Sequence, residues 1–178
     1  MISRILKFPA LFFESILDRA VSVTGALIFM QIPAFLVQYQ QRLGGHVDEL
    51  SRLIKKYAIA AAENGRTVEE YIGLHLKSEV KEFISTGKIM SENLEKFNDI
   101  SEALKNLSQS KGIIKLYVFI RDVEYDIFKA ALKNFVPGIS FNYETIFYAI
   151  AGIIFFMILY FIIKKSLLLV LNKIKFKK

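Results

Sequence analysis

Apolar residues follow two different patterns along the chain. Residues 20–37 and 145–163 are apolar on every side and contain no Asp, Glu, Lys or Arg; each approaches the roughly 20 residues that cross a bilayer core. Between these blocks, apolar positions recur every three or four residues with polar ones between them, the mark of helices that bury one face. The pattern predicts an all-α membrane protein: two transmembrane helices in a hairpin, enclosing a helical segment outside the cytoplasm. The expected divisions are an interfacial segment over 1–19, a first transmembrane helix over 20–41, a helical domain over 42–142, a second transmembrane helix over 143–163 and a basic cytoplasmic tail over 164–178.

The flanks of the first block sharpen this. Arg4 and Lys7 lie among Ile2, Ile5, Leu6, Leu11, Phe12 and Phe13, which reads as a short interfacial helix broken near Pro9. Glu14 and Asp18 argue against this segment simply lengthening the span. The block is long for the core of a signal peptide, and Gln38, Tyr39, Gln40, Gln41 and Arg42 follow where small cleavage-site residues belong.

Inside the block, Gln31 and Pro33 place a polar side chain and a missing backbone donor at one depth. A polar group in a bilayer needs a partner. In an antiparallel pair that level meets residues 149–152, where Ala151 and Gly152 permit close backbone approach. Ser22, Gly25 and Ala26 offer a second small-residue face for packing, within the chain, with another copy or with a different membrane protein. Paired ionisable groups suited to a transport pathway are absent from both blocks.

In the central segment, Gly44 and Gly45 are expected to end the first helix, with Tyr39 and Arg42 at headgroup level. Val47, Leu50, Ile54, Tyr57 and Ala61 then form the seam of an amphipathic helix that stops at Gly65. Thr67 and Glu70 have capping-box spacing. A third helix is expected over 78–86, ending at Gly87, and a fourth opening at Ser91 with Leu94, Phe97, Ile100, Leu104 and Leu107 on one face. Residues 108–112 read as a loop. Residues 113–135 are apolar at helical spacing and read as helix restarted at Asp122, although 114–120 alone also suits a strand. Pro137 and Gly138 break the chain, and Asn142 can cap the second span.

Composition adds mainly orientation. The hydrophobic fraction is 53% and the formal net charge is +7. Residues 42–142 carry 15 basic and 14 acidic side chains, so the excess lies elsewhere. It lies in Lys164, Lys165, Lys173, Lys175, Lys177 and Lys178, a tail without acids that suits lipid headgroups. Lys and Arg next to a span are retained in the cytoplasm. Both termini are therefore expected there, in a multi-pass protein, with the central segment on the far side. A near-neutral central segment gives no footprint for nucleic acid. Cysteine is absent. His46 with Asp48 and Glu49, and His75 with Glu69 and Glu70, lack the spacing of a zinc site, and no phosphate loop or nucleophile motif is present.

Two stretches resemble a family of small, uncharacterised bacterial inner-membrane proteins known only as a domain of unknown function. One is QIPAFLVQYQQRLGGHVDE at 31–49, which follows a QxPxFxxxYxQRLGGHxxE pattern; the other is FVPGISFNYE at 135–144. The extra N-terminal segment and the lysine tail depart from that pattern. The resemblance implies topology, fold and an inner-membrane location, and supplies no activity. It also directs attention to Gln41, Arg42, Gly44, Gly45 and His46, since an anchor alone does not require one particular string.

The functional expectation is a non-enzymatic interaction or scaffold protein, without cofactor or metal, that contacts lipid and docks on another envelope protein or on a second copy. Its candidate contacts are Gln31, Tyr39, Gln41, Arg42, Gly44, Gly45, His46, Leu94 and Phe97. The alternative is a sensor or ligand-binding module, which requires a pocket in the helical segment.

Overall fold

The computed structural model describes residues 7–138 and 142–175, with side-chain surroundings for 16–138, 142–167 and 169. The described residues contain six helices and no strand: α1 Lys7–Glu63, α2 Val68–Leu76, α3 Lys81–Gln109, α4 Gly112–Arg121, α5 Tyr125–Lys133 and α6 Tyr143–Lys175. Two of them, α1 and α6, are long and apolar enough to cross a membrane. Only 17% of the apolar window of α1 and 11% of that of α6 is buried, so neither is a core helix wrapped by the rest of the chain.

Helix α1 runs 57 residues without interruption, which corrects two expectations. Pro9 does not break it, because Pro9 falls in the first turn, where backbone donors have no intrahelical acceptor to lose. Gly44 and Gly45 do not end it either. Their backbones stay out of the left-handed region, and the inward seam passes straight through them: Leu36, Tyr39 and Leu43 are buried and continue at helical spacing into Val47, Leu50, Ile54, Tyr57 and Ala61. The helix ends at Gly65, which takes the left-handed conformation at φ 67°.

The chain divides into two compact units, Met1–Phe35 with Val136–Lys178, and Leu36–Phe135. In the first, α1 meets α6 at two glycines. A Cβ on Gly25 would lie 2.5 Å from the Gly152 carbonyl oxygen and 2.9 Å from Phe156 Cβ. Phe29 stacks beside this contact, 5.6 Å from Phe155 and edge-on to Phe156 at 6.3 Å. Asn142 caps α6 as its sequence suggests: its Oδ1 accepts from the Thr145 amide and hydroxyl, both at 2.8 Å. The apolar run after Lys165 extends α6 to Lys175.

In the second unit, Thr67 and Glu70 close the expected capping box at 3.0 and 3.2 Å. Helix α3 is one continuous element of 29 residues, not two. It passes through Gly87 because that glycine makes room for α2, where an added Cβ would lie 2.8 Å from His75 Cβ and 2.9 Å from the Leu76 amide nitrogen. Ser91 is therefore mid-helix, and Ser78 belongs to the preceding turn, its hydroxyl accepting from the Val80 amide at 3.1 Å. The loop expected at 108–112 shrinks to Ser110 and Lys111. Residues 113–120 are helix. Asp122 closes α4 instead of opening the next helix, with its amide donating to the Val118 carbonyl at 2.9 Å; α5 starts after Glu124. Ile100, Ala103 and Leu107 of α3, Val118 of α4 and Ile127 and Ala131 of α5 join Leu36, Tyr39 and Leu43 of α1 among the buried residues.

Candidate functional site

The motif stretch 38–46 occupies successive positions on α1 and so projects in several directions. Tyr39 points inward and is 1% exposed. Its ring meets Phe119 of α4 edge-on at 5.0 Å, and its hydroxyl oxygen accepts a hydrogen bond from the Glu124 amide at 3.0 Å. The Glu124 carboxylate pairs with Lys96 of α3. One residue between α4 and α5 is thereby held by α1 through its backbone and by α3 through its side chain. Sequence reasoning missed both Glu124 and Lys96, because their pairing spans 28 positions and neither belongs to a local motif.

Gln41, Arg42, Gly45 and His46 lie on the exposed side of α1. Gly44 is half-buried, and a Cβ there would stand 3.9 Å from Leu104 Cδ2, an ordinary contact; at Gly45 it would meet nothing. His46 and Glu49 reach a cleft of about 390 Å³, faced by Asn93 and Lys96 from α3 and Asp126 from α5 over a floor that includes Leu50 and Ile100. Asn93 is oriented by donating to the Tyr57 hydroxyl at 3.1 Å. The cleft offers hydrogen-bonding groups of both charge signs above apolar residues, a combination that can hold a small polar ligand. Leu94 and Phe97 are half-buried on α3, so part of each surface is already used inside the chain.

A second cleft of about 530 Å³ opens beside Asp99, Glu102, Asn106, Arg121 and Asp122. Both Arg121 guanidinium bonds to the Asp122 carboxylate are 2.6 Å, and Asn106 donates to the same group at 3.3 Å. The Arg121 hydrogen bond holds the Asp122 carboxyl below its usual range, against a smaller opposing effect of burial. Among the described residues, no group of three or more His, Cys, Asp or Glu side chains is arranged to hold a metal ion.

In the other unit, Gln31 finds its partners away from Ala151 and Gly152. Its Nε2 donates to the Leu27 carbonyl at 3.2 Å, and its Oε1 accepts from the Gly138 amide at 3.1 Å. The chain around Pro137 and Gly138 thus supplies the partner expected from α6, while Gly152 faces Gly25. Pro33 is buried, Ala26 and Ala151 are half-buried, and the Ser22 hydroxyl donates within its own helix to the Asp18 carbonyl at 2.9 Å. Lys164 lies over the Tyr160 ring at 5.8 Å, and Lys165 is exposed. The side chains of Lys173 and Lys175, all of Lys177 and Lys178, and residues 1–6 and 139–141 of the N-terminal and Pro-Gly segments fall outside the described residues.

Comparison with curated proteins and with solved structures gives no match. A family profile does match, over residues 13–173, which include both apolar blocks, most of α1 and α6 and everything between them. The chain belongs to the family described as Protein of unknown function (DUF2937).

Proposed function

We propose that this chain is an integral protein of the bacterial inner membrane that acts without catalysing a reaction, docking its helical domain on another envelope protein or on a second copy. In this reading α1 and α6 form an antiparallel transmembrane hairpin packed at Gly25 and Gly152, and residues 42–142 lie outside the cytoplasm. The observation that carries the docking role is the elbow between α2 and α3. Leu74, Leu76, Val80 and Phe83 are 39–53% exposed there around a cleft of about 240 Å³ that also includes His75. Clustered apolar side chains facing water mark interaction surfaces more often than isolated ones do.

Photocrosslinking side chains introduced at Leu74 and Phe83, in intact membranes, test this. Adducts at these positions and none at Glu92 support docking through the elbow, and adduct mass separates a second copy from a different protein. Monomers at every position overturn it. The cleft at His46 and Glu49 supports a second reading, a module that senses a small polar ligand. Native mass spectrometry of protein extracted from its own membranes should then retain a small molecule, and a His46→Ala, Lys96→Ala variant should lose it.

A further inference from the structure

We propose that α4 is an interfacial helix whose outer face inserts into the lipid headgroup region. Ile113, Ile114, Tyr117 and Ile120 are 60–65% exposed. At 100° per residue they share one arc of about 120°, with Phe119 on the opposite side and the buried Val118 at the arc's margin. Nothing in the helix is acidic: its charged residues are Lys115 and Arg121, and Lys111 precedes it. An apolar stripe free of acidic residues, with Arg121 inside the arc at the helix end and Lys115 half-buried on the opposite side, suits a helix lying in a membrane surface.

Depth is fixed by a contact within the helical unit. Phe119 packs on Tyr39, and the Tyr39 hydroxyl holds the Glu124 amide just beyond the end of α4. Tyr39 stands only two residues beyond Val37, where the apolar block of α1 ends, a rise of about 3 Å. A helix clamped at that level is at the bilayer boundary if α1 spans. Tyr117 is then an aromatic anchor of the kind enriched at membrane interfaces. The inference rests on the transmembrane reading, so its test must separate the two.

The chain contains no tryptophan, which permits single-tryptophan probes. Full-length Tyr117→Trp, Ile120→Trp, Phe155→Trp and Glu92→Trp variants, each with wild-type circular dichroism, are reconstituted into vesicles of equimolar phosphatidylcholine and phosphatidylglycerol. Lipids brominated at different acyl depths serve as quenchers. The expected result is deep quenching at 155, blue-shifted emission with shallow quenching at 117 and 120, and no quenching at 92. Deep quenching at 155 with probes at 117 and 120 as wet as that at 92 overturns the proposal and leaves the span intact. Absence of quenching at 155 overturns both. Blue-shifted but unquenched emission at 117 and 120 means that protein covers this face, which also overturns it.

Discussion

Single residues decide how closely the two long helices approach. At Gly152 an added Cβ would lie 2.7 Å from Phe29 Cβ and closer still to the Gly25 carbonyl oxygen, so the helices must separate to admit a methyl group. Gly152→Ala is expected to destabilise the protein by about 1–3 kcal/mol, as overpacking does in other well-packed cores. Gly45→Ala is the opposite case, because the position is helical and open. It should stabilise by about 0.5–1 kcal/mol through reduced freedom of the unfolded chain. Thermal unfolding in detergent micelles reads both; equal losses at the two sites refute the distinction. Asp122 has a pH signature. Its folded pKa is depressed, first by the Arg121 hydrogen bond, so its stabilising contribution is present above the unfolded value of about 4 and disappears as the pH falls through the lower folded value. Asp122→Asn should lower Tm at neutral pH, and the difference should close in acid. A gap that persists at low pH refutes the assignment.

At the scale of elements, the helix boundaries legible in the sequence are those satisfied within a few residues. Thr67 and Glu70 bond each other, Asn142 bonds Thr145, and Gly65 takes a positive φ; each signal is complete without knowing what packs nearby. Thr67→Ala should destabilise α2 by about 1 kcal/mol, seen as faster amide exchange over 68–71, with α3 amides unaffected. A glycine in a helical stretch is ambiguous in sequence, because the same residue type ends one helix and admits close packing in another. Gly87 admits α2 against α3, which is invisible without the neighbouring helix, whereas the seam from Leu36 to Ala61 runs past Gly44, half-buried, and Gly45, on the exposed side, and needs neither. A seam traced back to Leu36 instead of Val47 carries the signal for an unbroken α1. At the candidate site, His46 and Glu49 were legible from the motif, whereas Asn93, Lys96, Glu124 and Asp126 were brought in by tertiary packing. Gln31 accepts from the Gly138 amide in the irregular segment before α6, a partner that helix-to-helix counting passes over.

For the whole molecule, charge near the apolar blocks bears most on the proposed arrangement across a membrane. Six lysines follow the second block with no acid among them, while the residues before the first block carry three basic and two acidic side chains. Cationic flanks resist translocation, whereas a long segment such as 42–142 crosses largely regardless of its charge. The expected topology therefore places both ends in the cytoplasm. Because native cysteine is absent, Ser108→Cys and Ser166→Cys each provide a unique thiol at an exposed position. A membrane-impermeant maleimide should label the first in intact spheroplasts and the second only in inverted vesicles. The reverse result overturns the orientation, and labelling of both from outside overturns the hairpin. A stricter test removes the proposed cause: replacing Lys164, Lys165, Lys173, Lys175, Lys177 and Lys178 with glutamine leaves only the small N-terminal excess to set direction. Labelling at Ser108→Cys should then appear from both faces, as the population divides between two orientations. Unchanged one-sided labelling would show that the folded hairpin, and not the lysine tail, determines how the chain is inserted.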